Sequence, residues 1–119
     1  MKNTMTATAA DLANLAQRVE REPITDALGW AVVDAIMDRR QVDTLPTSSV
    51  DAAIRLLPDG SQWLIDSGRD DDLEPAYVSV ICGGIGRHRR LAQARARTPA
   101  AALTAAALRA RAAMMEKEL

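Results

Sequence analysis

The sequence predicts an α+β fold in a single domain, and three observations carry that expectation. Alanine-rich segments with a period near 3.6 lie towards both ends of the chain, the period shortens to 2 in between, and the only aromatic residues are Trp30, Trp63 and Tyr77. A core so poor in aromatics must be built from Leu, Ile, Val, Met and Ala, and alanine enters closely packed helices at almost no side-chain entropy cost. The 119 residues, 48% of them apolar, suffice for one core and are too few for two ordinary domains. The expected organisation is a set of N-terminal helices and a linker over 1–46, then a helix, an antiparallel β-hairpin and a long C-terminal helix over 47–119.

Each element has its own local reason. Leu12, Leu15, Ala16 and Val19 recur at helical spacing, so residues 8–21 read as a short amphipathic helix that Pro23 ends. A second helix is expected from Ile24 or Thr25 to about Arg40, with Leu28, Ala31, Val32, Ala35 and Ile36 on one stripe and Trp30, Val33 and Met37 on another. Gly29 costs such a helix about 1 kcal/mol against alanine, which points to a neighbour packed close to it. Gln41–Pro46 has no periodicity and reads as a linker. Ser48 and Asp51 then resemble a capping box, and a third helix over Ser49–Leu57 is expected to bury Val50, Ala53, Ile54 and Leu57. Pro58-Asp59-Gly60 stops it. Gln62–Asp66 and Ala76–Cys82 are the two strands, joined by a polar loop, and such a ribbon needs helices against it. Gly83-Gly84-Ile85-Gly86 breaks the second strand. Arg87–Arg97 stays open between a third strand, a basic loop and the approach to the last helix, which Thr98-Pro99 starts and which runs to about Glu118.

Several function classes are excluded by residue supply. Cys82 is the only cysteine and His88 the only histidine, so neither an internal disulfide nor a zinc site of the usual kind can form. No apolar run approaches the length of a membrane span, and the first residues do not read as a secretory signal, so the expected location is the cytoplasm. No cofactor is expected. The acids after the first strand, Asp66 and Asp70 to Glu74, lack the glycine and terminal glutamate of a calcium loop, and the glycine turn lacks the Lys-Ser/Thr of a phosphate loop. Nothing in the pattern places a carboxylate or Cys82 beside a catalytic base, so no enzyme activity is expected.

The net charge of −1 conceals an asymmetry. Residues 1–75 carry 14 acids and 7 bases, whereas residues 76–119 carry 2 acids and 8 bases. The most function-like feature is Arg87, His88, Arg89, Arg90, Arg95 and Arg97, in which no acid intervenes. Arginine forks match phosphate and carboxylate oxygens in pairs, so this segment is the candidate for binding an anionic ligand or partner. Its other reading is an exposed basic stretch that neutralises the acidic half.

In the last helix Leu103, Ala107, Ala110 and Met114 form one apolar stripe, and Ala101, Ala105, Leu108, Ala112 and Met115 form a second, with Thr104, Arg111 and Glu118 on a flank between them. One stripe can cover the strands. The other needs the N-terminal helices or a second copy of the chain, so it is the candidate oligomer interface of an expected homo-oligomer.

Two stretches, Leu45-Pro46-Thr47-Ser48-Ser49-Val50-Asp51-Ala52-Ala53-Ile54-Arg55-Leu56-Leu57-Pro58-Asp59-Gly60 and Ala96-Arg97-Thr98-Pro99-Ala100-Ala101-Ala102-Leu103 onward to Arg111, resemble small phage and prophage proteins of the phage ABA sandwich type. Val19–Val33, with Asp26-Ala27-Leu28, is similar to their N-terminal part. The resemblance implies a helix-strand-strand-helix fold and a phage or prophage origin, and brings no catalytic residues. The basic run Arg87–Arg97 departs from that pattern. The expected function is therefore that of a non-catalytic accessory protein in the bacterial cytoplasm, an inhibitor or sequestering protein against a host-defence factor. The alternatives are a nucleic-acid-binding or regulatory protein using the same arginines, and a virion or assembly component.

Overall fold

The computed structural model describes residues 8–57, 61–66, 76–82 and 89–117. Helix α1 (Ala9–Arg21) starts from a reciprocal capping box. The Thr8 hydroxyl accepts from the Asp11 backbone N–H at 3.1 Å, and the Asp11 carboxylate accepts from the Thr8 N–H at 3.0 Å. Those bonds, the one from the Thr8 backbone foremost, hold the Asp11 carboxyl below its usual range. Leu12, Ala16 and Val19 are buried, as the periodicity requires.

Helix α2 (Asp26–Ile36) is capped by Thr25, whose hydroxyl accepts from the Leu28 N–H. It stops short of Arg40, where the sequence pattern places its end. The Asp38 carboxylate accepts from the Arg40 N–H and starts a separate 3-10 turn over Arg39–Gln41, so a side chain takes the main-chain donor that a longer helix needs. Arg39 folds back to Asp34 with bonds of 2.7 and 2.8 Å, and its guanidinium carbon lies 4.8 Å from the centre of the Trp30 ring.

The expected close neighbour of Gly29 is present. A Cβ there would stand 2.8 Å from Leu45 Cδ1 and 2.9 Å from Thr47 Oγ1, so the linker crosses α2 in tight contact rather than hanging free. A second 3-10 turn, Pro46–Ser48, displaces the cap of α3 (Val50–Ile54) by one residue. Ser49, not Ser48, accepts from the Ala52 N–H.

The strands β1 (Ser61–Asp66), β2 (Ala76–Cys82) and β3 (Arg89–Ala96) form one antiparallel sheet in the order β1-β2-β3. Register runs from Ser61 opposite Cys82 to Asp66 opposite Tyr77, and from Ala76 opposite Ala96 to Cys82 opposite Arg89. The open segment thus resolves as a third strand from Arg89. The expected Pro58–Gly60 turn, the acidic loop and the glycine turn lie outside the described residues.

Helix α4 (Pro99–Lys117) begins where Thr98 accepts from the Ala101 N–H, and it packs against α1, α3, the Pro46–Ser48 turn, β2 and β3. It is the central post of the fold, and this corrects the interface assignment. Leu108 and Ala105 have no exposed surface, Ala101 has 1% and Ala112 7%, while Met115 is partly buried against the same core. Both stripes are covered within the chain, by α1, α3, the Pro46–Ser48 turn and the strands together, so Leu108, Ala105, Ala101 and Ala112 present almost no outer face to a second copy. Thr104, expected on a polar flank, is also fully buried and donates to the Pro46 carbonyl at 3.0 Å. Arg111 reaches from the same helix to the Leu56 carbonyl. Among the described residues no helix is long and apolar enough to cross a membrane.

Candidate functional site on the basic strand

Strand β3 is built on alternation. Ala94 and Ala96 are buried at 3% each and Ala92 is partly buried against the core, whereas Gln93, Arg95 and Arg97 are exposed. Period-2 alternation sends successive residues to opposite faces of a sheet, so the alanines turn to α4 and the long polar residues turn away from it. Small residues suit the inner side because α4 is itself alanine-rich there, and the two surfaces approach closely.

A β-bulge interrupts the register of β3. Val80 stands opposite Ala92 but Ile81 stands opposite Arg90, which leaves Leu91 as an extra residue on β3. The skip brings Arg90, by register position, into the same alternate set of rows as Gln93 and Arg95. Of the six candidates, Arg95 and Arg97 are therefore exposed at one end of β3, and Arg89 and Arg90 occupy register positions at its other end. Arg87 and His88 lie outside the described residues. Arg95 stands opposite Tyr77, which in turn stands opposite Asp66.

The edge of β3 is fastened by a pair that sequence reading missed. The Arg95 backbone N–H donates to Glu20 Oε2 at 2.9 Å, and Arg109 Nη1 donates to the Gln93 carbonyl at 3.1 Å. Glu20 and Arg109 are joined to each other by a two-pronged ion pair, Nη1 to Oε2 at 2.6 Å and Nη2 to Oε1 at 2.5 Å. Glu20 is 17% exposed and Arg109 32%, so water screens this pair less than an ordinary surface pair. Burial pushes the Glu20 carboxyl up, but the bonds from Arg109 and the Arg95 N–H, with the Arg109 charge, outweigh it and hold the carboxyl below its usual value. One ion pair thus links α1, β3 and α4 and occupies two main-chain groups of an edge strand, a device that keeps strand edges from unwanted pairing. It is also one instance of the basic half folding onto the acidic half.

Chemically, the arrangement is a positively charged strand on a rigid backing. Among the described residues no three His, Cys, Asp or Glu side chains gather as metal ligands. No family model, curated protein or solved structure matches the chain.

Proposed function

We propose that this chain is a non-catalytic accessory binding protein of phage or prophage type, and that β3 is its contact element. The partner is an acidic surface on a host protein, and the role is to inhibit or sequester a host-defence factor. The observation that carries this reading is the exposure of Gln93 and Arg95 on a strand whose alternate alanines are buried, and of Arg97 directly after it. Those arginines contribute no core packing, and the strand that carries them is anchored from behind by Glu20 and Arg109. Preorganised guanidinium groups lose less freedom on binding than groups on a loose segment. The phage origin rests on the resemblance of residues 45–60 and 96–111 to the helices of phage ABA sandwich proteins.

A second reading, nucleic-acid binding, is favoured by the arginine register positions at both ends of β3, Arg89 and Arg90 at one and Arg95 at the other, because cations spaced along a strand can track a phosphate backbone. The two readings separate on salt and on partner. Tagged protein is incubated with lysate of the bacterial host before and after nuclease treatment, then washed at rising salt. A protein bound in the nuclease-treated sample, and lost from an Arg95→Glu, Arg97→Glu variant, supports the first reading. Retention of nucleic acid alone supports the second. Equal capture by the variant contradicts both.

A further inference from the structure

Where the end of α2, the crossing segment after it and α3 meet, they line a cleft of about 400 Å³ to which no residue of β3 contributes. Met37, Val42 and Ala52 give it an apolar lining, and Asp43, Asp51 and Arg55 bring charge to it. These three charged side chains are exposed, and none makes a hydrogen bond or ion pair with another described residue. The absence is informative for Asp51 and Arg55. An acid four residues before a base on a helix is the spacing and order that lets the two pair. Here both are left to the cleft instead, Asp51 in the first turn of α3 and Arg55 at its C-cap.

The charge count then selects a ligand. One guanidinium matches one carboxylate through paired bonds, two carboxylates match two cationic groups, and an apolar lining takes an aliphatic stem. The cleft volume lies at the small end of ligand sites and suits a single amino acid rather than a larger molecule. We propose that this cleft binds a free basic amino acid. Its α-carboxylate is held by Arg55, its two cationic groups by Asp51 and Asp43, and its methylene chain by Met37, Val42 and Ala52. No residue of β3 lines this site, so the proposal does not rest on the reading of that strand.

The test is calorimetric titration of the full chain with L-arginine, with agmatine, which lacks the carboxylate, and with L-norleucine, which lacks the side-chain cation. L-arginine is expected to bind saturably, and agmatine and norleucine each about tenfold or more weakly than it, the loss of one charged contact. Arg55→Gln is expected to weaken L-arginine about tenfold while leaving agmatine unchanged, and Asp43→Asn to weaken both. Both positions are exposed, and thermal melts of the variants establish that they are folded. No saturable binding of L-arginine up to about 10 mM, equal binding of agmatine and arginine to the parent protein, or an Arg55→Gln variant that binds arginine normally would each overturn the proposal.

Discussion

Gly29 sits in the middle of a helix where alanine is ordinarily the better residue, by up to about 1 kcal/mol. Here the sign reverses. The added Cβ would meet Leu45 Cδ1 at 2.8 Å, Thr47 Oγ1 at 2.9 Å and Leu45 Cβ at 3.3 Å, and Thr47 is buried, its hydroxyl without a hydrogen-bond partner among the described residues. Overpacking of this kind costs roughly 1–3 kcal/mol, more than the helix propensity returns. Gly29→Ala is therefore expected to lower the urea midpoint, with an unchanged slope, and a raised midpoint would show that the crossing segment can withdraw. The residue was legible as an anomaly because a mid-helix glycine needs a reason. Its partner was not, since Gln41–Pro46 has no periodicity with which to place Leu45 against α2.

The elements divide by how local their signals are. α1, β2 and α4 match their predicted spans within about one residue, because the spacing of Leu12 to Val19 with the Pro23 stop, the β-branched run of β2 and the Thr98-Pro99 start are all local signals. α2 is shorter than its pattern at the C-terminal end and α3 at both ends: the side chain of Asp38 and the Pro46–Ser48 turn compete with helix for the same main-chain groups, and after Ile54 the N–H groups of Arg55, Leu56 and Leu57 turn to carbonyls three residues back, so α3 stops before Leu57. β3 was ambiguous for a different reason. Alanine and arginine have weak strand preference, so its alternation becomes meaningful only once α4 lies behind it. The Glu20–Arg109 pair, 89 residues apart, leaves no spacing pattern at all. Its loss is expected to be measurable: Glu20→Gln removes the carboxylate charge and leaves Arg109 half-satisfied, which costs about 1–3 kcal/mol at neutral pH. The pH dependence follows from the lowered Glu20 carboxyl. A group held below its unfolded value, near 4.3 for glutamate, adds stability that is complete above that value and lost as pH falls through the folded one. The gap between parent and Glu20→Gln in chemical denaturation is therefore expected to close as pH drops below about 5. A gap that is constant down to pH about 2 would place the effect in packing rather than charge.

At the scale of the whole molecule, the deciding fact is that α4 is covered on all sides over most of its length. Its two apolar stripes were both read from the sequence, but periodicity cannot say whether a second copy or the same chain covers the second one. The chain does it itself, since α1, α3, the Pro46–Ser48 turn, β2 and β3 all pack on α4. Leu108→Ala is accordingly expected to cost about 2–5 kcal/mol by opening a cavity in the core. A variant of unchanged stability but altered mass in light scattering would restore the interface reading. With α4 occupied by the fold, β3 is the surface on which the proposed binding role depends. The most direct test is fluorescence anisotropy with two labelled polyanions, a short DNA duplex and an acidic peptide, at low and moderate salt, using the parent chain and its Arg95→Glu, Arg97→Glu variant. The expected result is that the parent binds at least one of them and weakens about tenfold or more between about 50 and 200 mM salt, while the equally stable variant does not bind. Binding by the variant that equals the parent's, or no binding of either polyanion at low salt, would contradict the assignment of β3 as the contact strand.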